Sequence, residues 1–388
     1  MIYSTPVFIT DAKRSPIGRL GGGLRSLSAA DLALPVAQAM VPEPLKPAVQ
    51  QVILGQVLQA GAGMNVARQL GLRLGLPQST PAYVVNMVCG SGMKAVALGA
   101  DAIAAGESTL ILAGGVESMS RAPHYASDLR SGCKLGNSTL VDAILADGLT
   151  DPALNIGMGE TAERIVDACG ITRADQDAFA LASQQGASAS REAFQREIVP
   201  LETREGMVQH DEHPRADTTL EKLSKLKPAF RKDGSVTAGN SSGVNDGSAL
   251  LMLASESAIS RHGLTARARL IGCAAVGCDP ATMGLGPVHA IRRLCEETGW
   301  ELDSVDAVEI NEAFAAQALA CARQLGLDQS QLNRRGGAIA LGHPVGCSGA
   351  RVLVTLLHLM EDLDLRRGIA SLCIGGGMGI AMAIEREP

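Results

Sequence analysis

The stretch Ala82-Tyr-Val-Val-Asn-Met-Val-Cys-Gly-Ser-Gly-Met93 joins an apolar β-type run to a small-residue helix through a Cys-Gly-Ser-Gly turn. A second turn, Gly346-Cys-Ser-Gly349, also opens a small-residue helix. Each helix leads into an apolar run that ends in glycines, at Gly114-Gly115 and at Gly375–Gly377. From the Ser-Gly pair to the first of these glycines is 22 residues in one case and 26 in the other. Two related halves explain this repeat, and coincidence in a Gly- and Ala-rich chain is the alternative.

Short apolar runs typical of strands alternate with Ala- and Leu-rich segments of helical spacing along much of the chain. The strand-like runs are Val52–Leu58, Ala82–Val88, Leu110–Ala113, Leu250–Leu253, Ala307–Ile310 and Ser371–Ile374. The helix-like segments between them are Gly92–Ala105, His289–Thr298 and Glu312–Leu325. Strands this apolar are typical of sheets covered on both faces, so the pattern predicts an α/β architecture.

The middle of the chain differs, because residues from about 119 to 235 carry most of the charge runs. Its longest helix signal, Arg173 to Gln195, follows Thr172, a candidate N-cap with Asp175 three residues on. The composition becomes core-like again at Thr237. We therefore expect an N-terminal half at 1–118 and 236–265, an inserted loop domain at 119–235, and a C-terminal half at 266–388.

Composition excludes several classes of protein. Hydrophobic residues make up 46% of the 388 residues and the net charge is −6, so neither a disordered chain nor a general nucleic-acid binder is expected. The nine cysteines include no CxxC pair, which argues against zinc ribbons and favours a reduced, cytoplasmic location. The N-terminus shows no signal-peptide pattern. The longest uncharged or apolar stretches are too short or too broken to span a membrane.

Cys89 lies at the turn between a strand-like run and a helix. The positive end of a helix dipole favours a thiolate there, and Gly90 and Gly92 let backbone and ligand approach closely. This geometry is similar to that of a nucleophile elbow. The alternative is a small buried hydrophobic residue, the commonest environment of a free cysteine.

His343 lies in a loop, Gly342-His-Pro-Val-Gly-Cys-Ser-Gly349, whose glycines and proline fix its shape. A histidine held in such a loop is a candidate general base, and a hydrogen-bonded structural histidine is the alternative. Cys347 is expected to be a packing residue.

Cys373 precedes the run Ile374-Gly-Gly-Gly-Met-Gly379. The glycine spacing does not match the dinucleotide-binding fingerprint, and only nine residues follow, too few for a crossover helix and a return strand. What remains is a cysteine at a strand end, beside glycine N–H groups that can face an oxyanion. Asn311 also follows a strand directly, which is typical of α/β sites, although it can equally cap a helix.

Two charged features of the middle segment are expected to be exposed to solvent. His210 and His213 have a metal-like spacing, but the charges around them and Pro214 favour a solvated loop, and no metal site is predicted. A basic stretch also stands out in this acidic protein and could attract the phosphates of an anionic ligand; it comprises Lys222, Lys225, Lys227, Arg231 and Lys232.

Taken together, the motifs resemble those of the thiolase family over the full chain. The blocks that carry the resemblance are Asp11–Arg19, Asn86–Gly92, Gly114–Met119, Thr237–Gly243, Asn311–Phe314, Gly342–Gly346 and Cys373–Gly377. The resemblance implies the thiolase fold, two related βαβ-type halves in a layered αβαβα arrangement with an inserted loop domain. It also implies a reversible Claisen condensation of two acetyl-CoA molecules to acetoacetyl-CoA and CoA.

The resemblance also implies a role for each reacting residue. Cys89 becomes acylated while His343 takes its proton, and Cys373 removes the α-proton of a second acetyl-CoA. His343 and a water held by Asn311 meet the enolate oxygen, and the N–H groups of Cys89 and Gly375 form a second oxyanion hole.

The same resemblance implies a coenzyme A site in which Arg215 meets the adenine-nucleotide part. Ser242, with Ala238 and Ser241, then lies beside the pantetheine. The implied apolar lining of the pantetheine channel is Leu149, Met158, Phe230 and Phe314. No cofactor beyond the acetyl-CoA and 3-oxoacyl-CoA substrates is implied, and a homodimer or homotetramer is expected, without nucleic-acid or membrane partners.

One position departs from the family pattern. Short-chain biosynthetic thiolases usually carry His-Met-Gly in the middle loop, and this chain has Gly157-Met-Gly159. A glycine there leaves room near the acyl site, so a 3-ketoacyl-CoA thiolase acting on longer or other 3-oxoacyl chains is the alternative activity. A non-catalytic acyl-CoA or lipid carrier on the same fold is the alternative of another class.

Overall fold

A computed structural model describes residues 2–328 and 330–386, which form sixteen strands and eleven α-helices. The strands are β1 Ile2–Arg14, β2 Gly18–Arg19, β3 Gln51–Gly55, β4 Ala82–Val85, β5 Leu110–Ser118, β6 His124–Tyr125, β7 Val141–Asp142, β8 Thr150–Asp151, β9 Ile156–Gly157, β10 Leu201–Thr203, β11 Gly206–Val208, β12 Asn245–Ser255, β13 Ala268–Gly277, β14 Ala307–Ile310, β15 Arg367–Ile374 and β16 Met378–Glu385. The helices are α1 Ala29–Met40, α2 Val66–Leu74, α3 Ser91–Ala104, α4 Met158–Cys169, α5 Arg173–Ala189, α6 Leu220–Ser224, α7 Glu256–His262, α8 Gly286–Thr298, α9 Ala315–Leu325, α10 Ala338–Leu341 and α11 Val345–Asp362. None of these helices is long and apolar enough to cross a membrane.

The main sheet has the strand order β14-β15-β16-β13-β1-β12-β5-β3-β4, with β2 attached to β12. Its two sides have the same pairing pattern when followed outward from the central β1–β13 pair. On one side β12 is antiparallel to β1, β5 is antiparallel to β12, and β3 is parallel to β5. On the other side β16 is antiparallel to β13, β15 is antiparallel to β16, and β14 is parallel to β15.

This shared pattern confirms the repeat that the sequence predicts. Helix α3 opens after Cys89 and precedes β5, and helix α11 opens at Val345 and precedes β15. β5 and β15 occupy the same place in the two series of pairings. The two halves are therefore structural repeats of each other.

The layers follow from which face of each strand packs on which helix. In β12, Leu251 and Leu253 join a central core with α3 and α11, whereas Leu250 and Met252 join an outer core with α1 and α2. Residues of β13 to β16 likewise contribute to the central core and to a second outer core with α8 and α9. The strands of the two repeats therefore form two sheet layers on either side of α3 and α11, each covered outside by helices. This order of layers confirms the predicted αβαβα arrangement.

Helices α3 and α11 meet in the central layer through two glycines at matching positions of the repeat. A Cβ at Gly92 would lie 2.7 Å from the backbone N of Ala350, and a Cβ at Gly349 would lie 2.4 Å from the backbone N of Met93. Real Cβ atoms do not approach backbone this closely, so both positions require glycine. The helices that follow Cys89 and His343 thus touch backbone to backbone.

Three of the long strands were not predicted from the sequence: β1, β13 and β16. β1 and β13 carry polar and charged residues, such as Asp11 and Arg269, within the strand, which hides the apolar pattern. β16 follows the Gly375–Gly377 turn and pairs antiparallel with β15. The residues after Gly379 therefore complete a hairpin, which needs no crossover helix.

The segment between β5 and β12 holds three two-stranded hairpins and helices α4, α5 and α6. The predicted N-cap of α5 is confirmed, since Thr172 and Asp175 form a capping box. The helix ends at Ala189, short of the predicted Gln195, where a short 3₁₀ turn follows. Residues Ile144–Leu149 form a π-helical turn, a rare conformation that is frequent at functional sites.

Candidate active site

Cys89 sits on a strained turn between β4 and α3. Val88, just before it, has a φ of +46°, an outlier for a β-branched residue. The hydroxyl of Ser91 donates to the Val88 carbonyl at 2.6 Å and accepts the N–H of Met87 at 2.9 Å, which holds the turn. Backbone strain of this kind is retained where the surroundings enforce it, often at reactive sites.

The Cys89 thiol lies in an apolar chamber, with Val57, Leu58, Met119 and Val345 around it. Burial raises the pKa of Cys89 to about 11, while backbone hydrogen bonds from Gly375 and from Cys89 itself act in the opposite direction. Both N–H groups therefore point toward the sulfur.

His343 is buried, and its two ring nitrogens have different surroundings. Nδ1 lies 2.5 Å from the Ser348 Oγ, whose hydroxyl donates to the Pro344 carbonyl at 2.9 Å. The hydroxyl proton is therefore committed, so Oγ accepts from Nδ1–H and Nε2 carries the free lone pair. Nε2 has no hydrogen-bond partner among the described residues. Burial, and secondarily the charge of Arg351, lowers the pKa of His343 to about 3, which keeps the ring neutral.

Two buried side chains hold the loop that carries His343. Asn245 accepts the backbone N–H of His343 at 2.9 Å and donates to the Gly18 carbonyl at 2.9 Å. Glu117 accepts the backbone N–H groups of Gly346 at 2.8 Å, Val57 at 2.9 Å and Leu58 at 3.1 Å. Glu117 thus ties the first turn of α11 to the chamber around Cys89.

Cys373 lies at the end of β15 and is fully buried. Its neighbours in one apolar cluster are Met283, Ala313 and Phe314. Burial, and secondarily the nearby Cys89, raises the pKa of the Cys373 thiol well above its usual value. A thiolate at this position is accordingly a strong base.

Asn311 continues the β14–β15 pairing, since its N–H donates to the Ser371 carbonyl at 3.0 Å. Helix α9 begins at Ala315 with Phe314 at the N-cap position, so Asn311 does not cap that helix. Its Oδ1 accepts from Arg351 at 3.4 Å, and its Nδ2 has no partner in residues 2–328 and 330–386.

Most residues predicted to line the pantetheine meet next to Cys373. The Phe230 and Phe314 rings contact edge to face at 5.9 Å, and Ser241 bridges to Phe314. The N–H of Ser242 donates to the Ala313 carbonyl at 2.9 Å. Met158 approaches Gly375, where a Cβ would lie 3.3 Å from the Met158 Sδ.

Leu149 reaches the same region through a small hairpin. Thr150 in β8, the next residue along the chain, pairs with Gly157 in β9, the residue just before Met158. Around Gly157 there is open space, because an added Cβ would find only the Leu149 carbonyl, at 3.9 Å. Leu149, Gly157 and Met158 therefore lie together.

Arg215 and Ala238 are exposed at the edge of this arrangement. Ala238 belongs to the turn in which Ser241 Oγ donates to the Thr237 carbonyl. Arg215 follows His213, whose ring lies over Gly243 next to Ser242. The described residues show no further contact that joins the Arg215 side chain to the pocket.

The segment from His210 to Pro214 is not the solvated loop that the sequence predicts. Asp211 receives a bidentate pair from the buried Arg14, and Glu212 accepts the N–H groups of Arg19 and Gly23. Burial lowers the pKa of His213 to about 4. The sequence does not predict these hydrogen bonds, because their partners lie about 190 residues away along the chain.

The basic stretch is mostly solvated, as expected, with Lys222, Lys225, Lys227 and Lys232 exposed. Lys222 and Lys225 pair with acidic residues nearby in sequence, and Arg231 pairs with Asp167. Within the described part of the chain, no group of three or more metal-ligating side chains comes together.

Family models match almost the whole chain: the thiolase N-terminal domain over residues 7–257 and the thiolase C-terminal domain over residues 264–386. The chain belongs to the thiolase family. It is 49% identical to an acetyl-CoA acetyltransferase of Allochromatium vinosum, over 98% of this chain and 99% of that one.

Two solved thiolase structures superimpose closely on this chain. An acetyl-CoA acetyltransferase of Bacillus anthracis has a TM-score of 0.96 at 45% identity, with both chains fully covered. Human mitochondrial 3-ketoacyl-CoA thiolase in complex with CoA has the same TM-score at 42% identity, over 100% of this chain and 99% of that one. The resemblance read from the motifs is thereby confirmed at the level of family and fold.

Sequence reasoning gave no role to several residues that shape this thiolase site: Val88, Glu117, Asn245, Ser348 and Arg351. Two of them carry a signal in the sequence. Glu117 is the one acidic residue in the apolar run Leu110–Ser118, and Arg351 is the one residue with a permanent charge between Val345 and Met360. A lone charge in a buried element must be paired, so such positions predict internal hydrogen-bond networks.

Proposed function

We propose that this chain is an acetyl-CoA C-acetyltransferase that condenses two acetyl-CoA molecules to acetoacetyl-CoA and CoA, and runs the reverse thiolysis. The observation that carries the proposal is the chamber in which the Cys89 sulfur receives hydrogen bonds from Gly375 and Cys89 and lies close to a second buried thiol, Cys373. A neutral histidine with a free Nε2, His343, completes the set of reacting groups.

In the first half-reaction, His343 Nε2 takes the Cys89 proton while the sulfur attacks the thioester carbonyl. The N–H groups of Cys89 and Gly375 stabilise the oxyanion that develops there. The carbon–sulfur bond to CoA then breaks, and the departing thiolate takes the proton of Cys373, which leaves Cys373 as the thiolate and His343 protonated at Nε2. The products are acetyl-Cys89 and CoA.

In the second half-reaction, the Cys373 thiolate removes the α-proton of a second acetyl-CoA. The raised pKa of Cys373 supports this role, because an α-proton beside a thioester is only weakly acidic. His343 and Asn311, the latter through a water, stabilise the enolate oxygen. The enolate carbon attacks the acetyl group and the bond to Cys89 breaks. The proton on His343 returns to the Cys89 thiolate, and Cys373 keeps the α-proton, which restores the three neutral groups.

We propose that coenzyme A lies along the inserted loop domain at 119–235, against residues of both repeats. Its pantetheine contacts Leu149, Met158, Phe230, Phe314, Ala238, Ser241 and Ser242, and its nucleotide part meets Arg215. Cys89 belongs to the half at 1–118 and 236–265, and His343 and Cys373 to the half at 266–388. The reaction as written needs no cofactor besides the CoA thioesters.

We also propose that the chain acts as a homodimer or homotetramer in the cytoplasm. The cytoplasmic assignment is supported by nine cysteines, none of which forms a disulfide among the described residues. Light scattering coupled to size-exclusion chromatography measures the assembly, and a monomer would contradict it.

A second candidate activity is 3-ketoacyl-CoA thiolysis of longer or otherwise different acyl chains. The open space at Gly157 beside Met158 favours it, because nothing in the described chain fills the place of a larger side chain there. A chain-length series of 3-oxoacyl-CoA substrates in the cleavage direction decides between the two. The acetyltransferase proposal predicts the highest kcat/KM with acetoacetyl-CoA, and a maximum at longer chains would establish the second activity.

Peptide mass spectrometry after incubation with acetyl-CoA tests the covalent step itself. We expect an acetyl group on Cys89 in the wild type and none on that peptide in Cys89→Ala. Folded protein that binds acetyl-CoA but leaves Cys89 unmodified and cleaves no 3-oxoacyl-CoA would instead indicate a non-catalytic acyl-CoA carrier.

A further inference from the structure

Arg351 is a buried cation directly behind the proposed site. It lies in α11 and is 1% exposed. Its Nη2 is 3.4 Å from Oδ1 of Asn311, and its Nη1 is 3.9 Å from an oxygen of Glu309. Nε and Nη1 make no hydrogen bond to any described residue. Burying a guanidinium is costly, so its retention calls for an explanation.

The surroundings of Arg351 form a closed ionic cluster. Burial, partly offset by Arg351, raises the pKa of Glu309 to about 8, and Glu312, Glu197 and Arg335 lie close enough to influence it. One oxygen of Glu309, one of Glu197 and one Nη of Arg335 also lack partners in the described part of the chain. Several unpaired polar atoms in one buried place indicate ordered water there.

The contact with Arg351 decides which end of the Asn311 amide faces the substrate. A guanidinium has only donors, so it can hold only the Oδ1 end. The two N–H groups on Nδ2 are then left for the opposite side, where no described residue uses them. Without Arg351 the amide can rotate by half a turn and present a lone pair where a donor is needed.

We propose that Arg351 is a positioning residue for Asn311. Its guanidinium holds Oδ1 so that Nδ2 donates, directly or through a water, to the enolate oxygen of the second half-reaction. This inference rests on the proposed function and extends it. The first half-reaction depends on Cys89 and His343 and is expected to need Arg351 little, because burial is the larger cause of the neutral state of His343.

The test separates the two half-reactions in the variant Arg351→Met with Glu309→Gln. The second change removes the carboxyl that the first would leave without its cation. Acetylation of Cys89 by acetyl-CoA is followed by rapid quench and mass spectrometry. Exchange of the acetyl-CoA methyl protons in D₂O, followed by NMR, reports enolate formation.

We expect acetylation within about 3-fold of wild type and proton exchange slower by about 10–100-fold, the size found when outer partners of functional groups are removed. In an Asn311→Ala background the same two changes should cost little more, because their target is gone. Equal losses in both half-reactions, or full additivity with Asn311→Ala, would overturn the proposal.

Two further observations keep the test decisive. If the double variant does not fold, Arg351→Lys replaces it in the test. This variant retains the positive charge but loses the planar guanidinium, so we expect slowed exchange with near-normal acetylation. Equal slowing of acetylation and of exchange in Arg351→Lys would also overturn the proposal. Failure of the wild type to acetylate Cys89 would contradict the proposed function instead, independently of Arg351.

Discussion

The single residues of this site are tuned by burial in opposite directions. Burial raises the pKa of Cys89 to about 11 and lowers that of His343 to about 3, so the neutral thiol and the neutral imidazole are the resting forms. A charged pair is therefore expensive at rest and has to be stabilised as it forms, by the N–H groups and by Ser348. The proposed nucleophile and the proposed base are therefore both uncharged before substrate binds.

Replacement of Ser348 by alanine tests how His343 is oriented. The hydroxyl accepts from Nδ1–H and so selects the tautomer with a free Nε2. We expect Ser348→Ala to lower kcat about 10–100-fold with little change in KM, because the ring loses its orientation while the CoA contacts stay. Steady-state kinetics of acetoacetyl-CoA cleavage measure both constants. An unchanged kcat would show that packing alone orients the ring.

His213 gives a stability prediction with a definite sign. Its pKa is about 4 in the folded chain and about 6.5 unfolded, so the unfolded state binds more protons between these values. The free energy of unfolding therefore decreases as the pH falls from 6.5 toward 4. We expect the wild type to lose roughly 2 kcal/mol more than His213→Gln between pH 7.5 and 4.5. Urea unfolding of both proteins at the two pH values checks this, and parallel losses would contradict it.

At the scale of elements, the site is an assembly of chain segments that end at one place. Helix α3 brings Cys89, the loop before α11 brings His343, and strands β14 and β15 end at Asn311 and Cys373. In the two repeats α3 is equivalent to α11, β5 is equivalent to β15, and β3 is equivalent to β14. The contact between α3 and α11 and the carboxylate of Glu117 fix their relative positions.

The glycine contact between α3 and α11 predicts unequal effects of the same substitution. Gly92→Ala would place a Cβ 2.7 Å from backbone, which cannot move away without shifting α11. We expect a loss of about 1–3 kcal/mol of stability or more, measured by chemical denaturation. Gly71→Ala in α2 is the matched control, since its new Cβ would meet side chains at 3.7 Å and 3.8 Å. A gain of about 0.5–1 kcal/mol is expected there, and equal losses in both variants would refute the close contact.

Glu117 predicts a coupled loss of stability and rate. In Glu117→Gln the amide NH₂ would face at least one of the N–H groups that the carboxylate accepts, leaving it unpaired. We expect a cost of about 1–3 kcal/mol and a lower kcat, because the His343 loop loses its tie to the Cys89 chamber. Thermal unfolding and kinetics are compared with the exposed Glu107→Gln. Equal behaviour of the two variants would show that Glu117 is dispensable.

The sequence predicts an element correctly where the element is buried or where the residues that define it lie close together along the chain. The run Ala307–Ile310 matches β14 in full, and the Thr172–Asp175 cap was readable because it lies within four residues. The sequence does not predict β1 and β13, because their polar and apolar residues are mixed without a strand pattern. They form strands by pairing with β12 and β16. The family motifs predict the reacting residues. Glu117, Asn245 and Arg351, which hold the site together, have partners about 40 to 230 residues away along the chain, and only a lone charge or amide in the sequence indicates them.

For the whole molecule, the decisive feature is that the two repeats share one interior. The central core contains residues of β1, β5 and β12 from one side and of β13, β15 and β16 from the other, with α3 and α11 between them. Neither side can bury its inner face alone. Stability and catalysis are therefore properties of the joined halves.

A fragment tests this dependence. Residues 1–265 alone would expose the inner apolar faces of β5, β12 and α3, so we expect the fragment to aggregate or to lack cooperative unfolding in calorimetry. Cleavage inside residues 130–138, which are exposed, leaves the core contacts intact and serves as the control. A fragment with a sharp, reversible transition would contradict a shared core.

The backbone contact between Gly92 and Gly349 also sets a limit on how this enzyme can diversify. The two helices that follow Cys89 and His343 meet backbone to backbone at these glycines, so no side chain there can adjust the distance between them. A larger residue at either glycine would push the two helices apart, whereas a residue added at Gly157 would meet open space. New substrate preferences are therefore expected to be acquired in the inserted segment, with the distance between Cys89 and His343 inherited unchanged.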